Sequence, residues 1–171
     1  ATTLSTNVHN VSLNLWYDNI TNAIAEAVNG NLIEVYPNVY NESVTISNFT
    51  SLTLRSRAWI TNNSDNTNTI VDGTGYSKCF MISNSLNVKL YGFTIRNSDS
   101  DGIRLASSSS VTLSYNVVTG NSNQGIDMYD SLDSCLVFSN EICNNGNEGI
   151  GLGNYVTNNH IYNNNICSNS W

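Results

Sequence analysis

Two aspartates and one arginine near the middle of the chain are of the right types for acid and base chemistry. Arg104 and Asp127 stand 23 residues apart, and Asp101 precedes Arg104 by three. Two carboxylates about 5–9.5 Å apart can act as acid and base in the hydrolysis of a glycosidic bond. The simpler interpretation is an exposed ion pair between Arg104 and Asp127, worth about 0–1 kcal/mol. We favour the ion pair and keep the three residues as catalytic candidates.

Aromatic rings could provide a second kind of chemistry, the binding of sugars without catalysis. The chain has nine Tyr and three Trp, and such rings combine a large apolar face with a polar edge. The same rings could equally pad the outer wall of a domain or form a subunit contact. The candidates are Trp16, Trp59, Tyr91, Tyr115, Tyr129, Tyr155 and Tyr162.

Length and composition narrow the class of protein. A chain of 171 residues fits one domain, and its 31 Asn and 23 Ser exclude a helical bundle because both side chains compete for backbone hydrogen bonds. The net charge is −7 with six Lys and Arg and no basic stretch, so nucleic acid is excluded as a partner. No segment approaches the roughly 18 apolar residues of a membrane span.

Internal repeats predict the fold. Three segments begin with Gly-Ile at Gly102, Gly125 and Gly149, with spacings of 23 and 24 residues. Within each repeat, aliphatic and polar residues alternate over short stretches, which is typical of strands with one buried face. Strands this short are stable only when successive repeats stack about 4.8 Å apart. The sequence therefore predicts an all-β, single-domain parallel β-solenoid of about six coils with three strands each.

The same spacing predicts which residues stack on one another. Aliphatic core columns are expected at Ile103, Ile126 and Ile150, and at Leu90, Leu113, Val137 and Ile161. Amide ladders are expected at Asn116, Asn140 and Asn164, and at Asn121, Asn145 and Asn169. We interpret these asparagines as structural rather than ligand-binding.

The repeats resemble those of right-handed parallel β-helix proteins of the pectate-lyase-like and NosD type. The resemblance rests on the pattern Asn/Asp-Gly-Ile-x-Leu-x-x-Ser-x-x-x-x-Val/Ile-x-x-Asn-x-Ile-x-x-Asn and covers about residues 18–171. It implies a right-handed coil and a short helix, at about residues 19–29, that caps the first coil. Enzymes with this fold place acidic residues with Arg or Lys on one outward face, which keeps Asp101, Arg104 and Asp127 as candidates. The Asn-Thr-Asp and Gly-His-Gly motifs of polygalacturonases are missing from the sequence.

The N-terminal segment, residues 1–17, is predicted to be an extended arm ahead of a β-helix domain at 18–171. Its apolar residues Val8, Val11, Leu13 and Leu15 are interspersed with polar ones. An arm of this kind could pair with the first coil of its own chain or with a neighbouring molecule.

Four cysteines suggest disulfide bonding. Cys143 and Cys167 are one repeat of 24 residues apart, so stacking would place their Cα atoms about 4.8 Å apart, within the bonding range of roughly 4.4–6.8 Å. We predict that these two are bonded. Cys79 and Cys135 fall at different repeat positions and are either buried apolar residues or cross-links between subunits. The Cys and His spacings indicate no metal site, and no cofactor is expected.

Several features favour an exported protein, extracellular or on the cell surface. The chain begins at Ala1, which we interpret as removal of a signal segment. Asn-x-Ser/Thr triplets, which are acceptor sites for glycans in secreted proteins, occur at Asn10, Asn19, Asn41, Asn48 and Asn62.

The final coil suggests a function. Residues 149–171 contain no Asp, Glu, Lys or Arg and no helical pattern that would cap the solenoid. Charges commonly prevent strand edges from joining, so their absence favours stacking of another subunit. We therefore expect an extracellular structural protein without enzymatic activity, a homo-oligomer or filament joined through the solenoid ends or the N-terminal arm. The alternative is a carbohydrate-active enzyme or a polysaccharide-binding module of the pectate-lyase-like type.

Overall fold

The chain folds as a parallel β-solenoid of about six coils, seen in a computed structural model that describes residues 6–61 and 65–171. Two short helices interrupt the strands, α1 (Ile20–Ala25) and α2 (Arg57–Thr61). Neither helix, nor any other in the described residues, is long and apolar enough to cross a membrane. The predicted fold class, an all-β single domain, is confirmed.

The strands form three sheets that run along the solenoid. Sheet A contains, in spatial order, β2 (Leu15–Tyr17), β1 (Val8–Asn10), β3 (Asn31–Val35), β6 (Leu52–Ser56), β9 (Val88–Tyr91), β12 (Thr112–Ser114), β15 (Leu136–Phe138) and β18 (His160–Tyr162). Sheet B contains β4 (Asn38–Asn41), β7 (Thr69–Asp72), β10 (Thr94–Arg96), β13 (Val117–Thr119), β16 (Glu141–Cys143) and β19 (Asn165–Cys167). Sheet C contains β5 (Val44–Ser47), β8 (Lys78–Ser83), β11 (Asp101–Ala106), β14 (Ile126–Asp133) and β17 (Ile150–Thr157).

Side chains of equivalent positions stack from coil to coil, as the repeat predicts. Ile126 pairs in register with Ile103 on one side and Ile150 on the other. The second predicted column, from Leu90 to Ile161, is also in register. These aliphatic residues point inward between the three sheets, where Ile103 and Leu90 are fully buried. One continuous apolar core therefore runs along the axis.

Two asparagine ladders hold the corners between successive coils. Asn140 Oδ1 accepts hydrogen bonds from the backbone N and from Nδ2 of Asn116, at 3.0 and 3.1 Å. Asn164 Oδ1 repeats this arrangement on Asn140, with both bonds at 3.0 Å. Each amide also donates to a backbone carbonyl, as Asn140 Nδ2 does to Leu113 O. The second predicted ladder, Asn121, Asn145 and Asn169, has the same geometry.

The chain turns between sheets A and B through a residue with a left-handed backbone. The four stacked residues at this corner have φ between 55° and 84°; they are Gly92, Tyr115, Ser139 and Asn163. A side chain raises the energy of this conformation by roughly 1–2 kcal/mol, whereas glycine adopts it freely and asparagine adopts it more readily than most residues. A tyrosine at the corner is therefore a strained choice.

The N-terminal end is closed by an antiparallel hairpin and by α1. Strand β1 pairs with β2 and with β3 of the first coil, so the arm pairs with its own chain. Helix α1 begins after Asn19, whose Oδ1 accepts a hydrogen bond from Asn22 N at 2.7 Å. The expected helix over residues 19–29 is too long. The chain leaves the helix at Glu26, and Val28, which falls within the predicted range, is exposed.

The cysteines behave as their repeat positions indicate. Cys143 and Cys167 pair in register and form a disulfide, with their Cα atoms 4.7 Å apart. Cys79 and Cys135 are free thiols and both are fully buried. Burial raises the pKa of Cys79 to about 12, because a thiolate is poorly solvated there. Both free cysteines therefore act as small apolar core residues in this chain.

Removal of one ladder amide should destabilise the fold more than removal of an exposed asparagine. Asn140→Ala leaves the buried backbone N–H of Asn116 without its acceptor and is expected to reduce the free energy of unfolding by about 3 kcal/mol. Urea denaturation measures the difference. The matched control is Asn154→Ala, at an exposed position of β17, which should change stability by less than about 0.5 kcal/mol. Equal losses in the two variants would contradict the ladder interpretation.

Reduction of the disulfide should destabilise the last two coils. A bond that closes a loop of 24 residues is expected to contribute about 3 kcal/mol. Urea denaturation with and without dithiothreitol measures this contribution. The double variant Cys143→Ser, Cys167→Ser serves as the control, since dithiothreitol should not change its midpoint; a further decrease would show that the reductant acts elsewhere.

Candidate functional site

The predicted catalytic residues meet on the outer face of sheet C. Arg104 on β11 pairs in register with Asp127 on β14, and its Nε donates a hydrogen bond to Asp127 Oδ2 at 2.7 Å. Arg104 Nη2 lies 3.0 Å from Asp101 Oδ2. Asp101 Oδ1 accepts a hydrogen bond from Asn123 Nδ2 at 2.8 Å. One guanidinium therefore bridges two carboxylates on adjacent coils.

The expected exposure of this ion pair is wrong, because both carboxylates are buried. Asp101 is 0% and Asp127 5% exposed, and the Tyr129 ring lies over Arg104 with 4.8 Å from Cζ to the ring centroid. Burial raises the pKa of Asp127; the Arg104 charge opposes this shift and the Asp101 charge reinforces it. Arg104 contacts both carboxylates, so a substrate would have to displace its guanidinium to pair with them. The geometry therefore favours a clamp between coils over an acid and base pair.

The candidate glycosylation sites differ in accessibility. Asn10 is buried with its amide hydrogen-bonded, and Asn19 caps α1. Asn41 and Asn48 are exposed, while Asn62 lies outside the described residues. Glycosylation stays a prediction, and accessibility favours Asn41 and Asn48.

A row of five aromatic rings lies on the outer face of sheet A and is called here the aromatic row. Its members are Trp59, Tyr91, Tyr115, Phe138 and Tyr162. The Trp59 ring centroid lies 5.2 Å from that of Tyr91 and 4.8 Å from that of Tyr115. Phe138 continues the row, 5.8 Å from Tyr115 and 5.1 Å from Tyr162, with its ring nearly parallel to that of Tyr162. The rings therefore form a contiguous row along the solenoid, in which two pairs meet edge to face and Phe138 and Tyr162 lie face to face.

A groove of about 390 Å³ opens between these rings. This volume falls within the roughly 300–1,000 Å³ of small-ligand sites, which combine apolar walls with a few polar groups. Trp59 and Phe138 contribute ring surface, and Lys89 and Thr112 contribute an ammonium and a hydroxyl. The mixture of ring faces and hydrogen-bonding groups suits a sugar, which has apolar C–H faces and a polar rim.

The sheet and one inserted helix position the rings. Tyr91, Phe138 and Tyr162 occupy one column of sheet A, in which Ser114 takes the position between the first two. Trp59 comes from α2, between β6 and β7, and packs over Gly92. A Cβ at Gly92 would lie 2.5 Å from Trp59 Cβ, so only glycine leaves room for the indole.

Tyr115 joins the row from the left-handed corner position, with φ 57°. Its ring is 39% exposed and fills the place above Ser114, whose side chain is too small to continue the platform. The same left-handed φ recurs at other corners of the solenoid, for example at Ser139 and Tyr155, so it belongs to the geometry of the coil. Tyr115 is set apart by its ring, which contacts both Trp59 and Phe138 and so joins the two parts of the row.

The other aromatic candidates lie elsewhere. Tyr129 covers Arg104, Tyr155 is 80% exposed on sheet C, and Trp16 lies near the N-terminal end of sheet A. Sequence reasoning missed Phe138, although its spacing of 24 residues from Tyr162 was a usable signal. Within residues 6–61 and 65–171, no three His, Cys, Asp or Glu side chains are grouped to hold a metal ion.

Comparison with known proteins places the chain in a family. No curated protein matches it. A solved structure of a pectin methylesterase mutant in complex with a hexasaccharide is similar at 16% identity, with a TM-score of 0.49. The alignment covers 75% of this chain and 53% of the other, so this chain spans about half of that structure. The family described as the right handed beta helix region matches residues 7–166. The chain therefore belongs to the right-handed β-helix family.

Proposed function

We propose that this protein binds an unbranched polysaccharide along the aromatic row, without cleaving it. The observation that carries the proposal is the contiguous row of five rings beside a groove of about 390 Å³. A linear chain lying along the solenoid axis would contact successive rings of the row. The hydroxyl of Thr112 and the ammonium of Lys89 would meet its polar rim.

Burial of the acidic cluster supports binding rather than catalysis. Asp101 and Asp127 are closed off on sheet C, whereas the groove on sheet A is open and lined by rings. The aromatic row contains no carboxylate, so no acid and base pair accompanies the bound sugar.

Location outside the cell and assembly into a filament, sheath or surface layer stay predictions. The Cys143–Cys167 disulfide supports an oxidising compartment, because such bonds rarely persist in a reducing cytosol. Assembly is independent of the binding proposal, and sedimentation velocity at high protein concentration separates a monomer from an assembly.

Loss of the indole should abolish most of the binding. Trp59→Ala is expected to weaken binding at least about tenfold, or about 1.4 kcal/mol, because the indole contacts two other rings of the row. Affinity gel electrophoresis in soluble β-1,4-glucan, xylan and polygalacturonate measures retardation, and Trp fluorescence gives the affinity. Tyr155→Ala, which removes an exposed ring on another sheet, is the control and should bind normally. The proposal fails if the native protein is retarded by none of the three polymers, or if both variants bind alike.

Substitutions at Tyr115 should separate the effect of the ring on sugar affinity from the effect of the backbone conformation on stability. Tyr115→Gly and Tyr115→Asn are expected to have a free energy of unfolding about 1 kcal/mol higher than that of Tyr115→Ala, because the left-handed corner favours Gly and Asn. Urea denaturation measures this difference. All three should lose sugar affinity equally, while Tyr115→Phe keeps it. If sugar affinity across these variants changed with their stability and not with the presence of the ring, the proposed role of the Tyr115 ring in binding would be contradicted.

A further inference from the structure

One register column crosses all eight strands of sheet A and extends the aromatic row toward the N-terminal end. From Tyr91 the column passes through Arg55 on β6 and Glu34 on β3 to the hairpin. In spatial order its members are Trp16, His9, Glu34, Arg55, Tyr91, Ser114, Phe138 and Tyr162. The column is about 34 Å long, at roughly 4.8 Å per strand.

A second group of rings occupies the N-terminal end of this column. The His9 and Trp16 rings are stacked, with centroids 4.2 Å apart and planes 8° apart. The ring centroid of Tyr36 lies 5.3 Å from that of Trp16. Trp16 is 45% exposed although it is a large apolar side chain. These three rings are called here the hairpin platform.

A charged bridge joins the hairpin platform to the aromatic row. Glu34 is 3% exposed and accepts hydrogen bonds from Arg55 Nε at 3.1 Å and Arg57 Nη1 at 2.8 Å. The Arg57 guanidinium lies 5.9 Å from the Tyr36 ring, and Arg55 Nη1 donates to Tyr91 Oη at 3.4 Å. The bridge thus contacts one ring on each side and holds both platforms on one surface.

We propose that the hairpin platform is a second sugar-binding subsite, and that one extended polysaccharide chain lies across both platforms. This inference rests on the proposed function of the aromatic row. Two guanidiniums against one carboxylate leave N–H donors at the junction for the hydroxyls of the sugars that pass over it. Aromatic rings at both ends and donors between them match a chain that is continuous and unbranched.

A bipartite site predicts a length threshold in affinity. The aromatic row is about 14 Å long from β9 to β18. Once an oligosaccharide covers this row, a longer chain that still does not reach Trp16 should bind with the same affinity. Chains long enough to reach Trp16 should bind at least about tenfold more tightly, because the second contact becomes intramolecular. The probes are cello-oligosaccharides and galacturonate oligosaccharides from disaccharide to decasaccharide, with affinities measured by isothermal titration calorimetry.

Variants in the hairpin separate this inference from the proposed function. Trp16→Ala should remove the tenfold increase in affinity for long chains and leave the binding of short oligosaccharides unchanged. Leu15→Ala, at the adjacent exposed position of β2, is the matched control and should keep the threshold; circular dichroism checks that both variants fold. A single plateau in the native protein, or the same threshold in Trp16→Ala, overturns the second subsite while leaving the aromatic row in place. Failure of every oligosaccharide to bind, at any length, overturns both.

Discussion

Every coil of this protein depends on the coil next to it to satisfy its buried polar groups. The strands are three to eight residues long, and strands this short cannot hold their backbone hydrogen bonds alone. At the corners, the same dependence extends to side chains, because Asn140 receives its acceptor from Asn164 and supplies one to Asn116. A single asparagine therefore satisfies two coils, and its identity is fixed by both neighbours. This explains why amide side chains fill positions that an aliphatic residue of similar size would leave with unpaired buried donors.

The register that builds the core also builds the outer surface. Outward residues on one face repeat about every 4.8 Å, so side chains of one kind accumulate into stripes without any loop to position them. On sheet A this gives a column that ends in rings on both sides. On sheet C it gives the stacked Arg104 and Asp127, whose side chains are hydrogen-bonded to each other and link two coils. The difference between the faces is burial: the rings border an open groove, whereas the carboxylates are covered.

Features that repeat could be predicted from the sequence, and features that interrupt the repeat could not. Equal spacing was enough for the core columns, the asparagine ladders and the Cys143–Cys167 bond, because stacking converts a sequence interval into a distance. The repeat interval placed Arg104 beside Asp127, but it did not indicate that Asp127 would be buried or that the Tyr129 ring would lie over Arg104. Helix α2 breaks the repeat between β6 and β7, so no interval indicated that Trp59 would join Tyr91 and Tyr115.

The rigidity of the platform gives the proposed binding mode its energetic basis. The rings pack against one another at centroid distances of 4.8 to 5.8 Å, so their rotamers are largely fixed before any ligand arrives. Ordering a free side chain at an interface costs about 0.5–1.5 kcal/mol, and a packed row avoids most of that loss. The Tyr115 ring is held in the same way, by its contacts with Trp59 and Phe138. Selectivity would then come from the fixed interval between rings, since a ligand whose repeat does not match it must leave some faces uncovered.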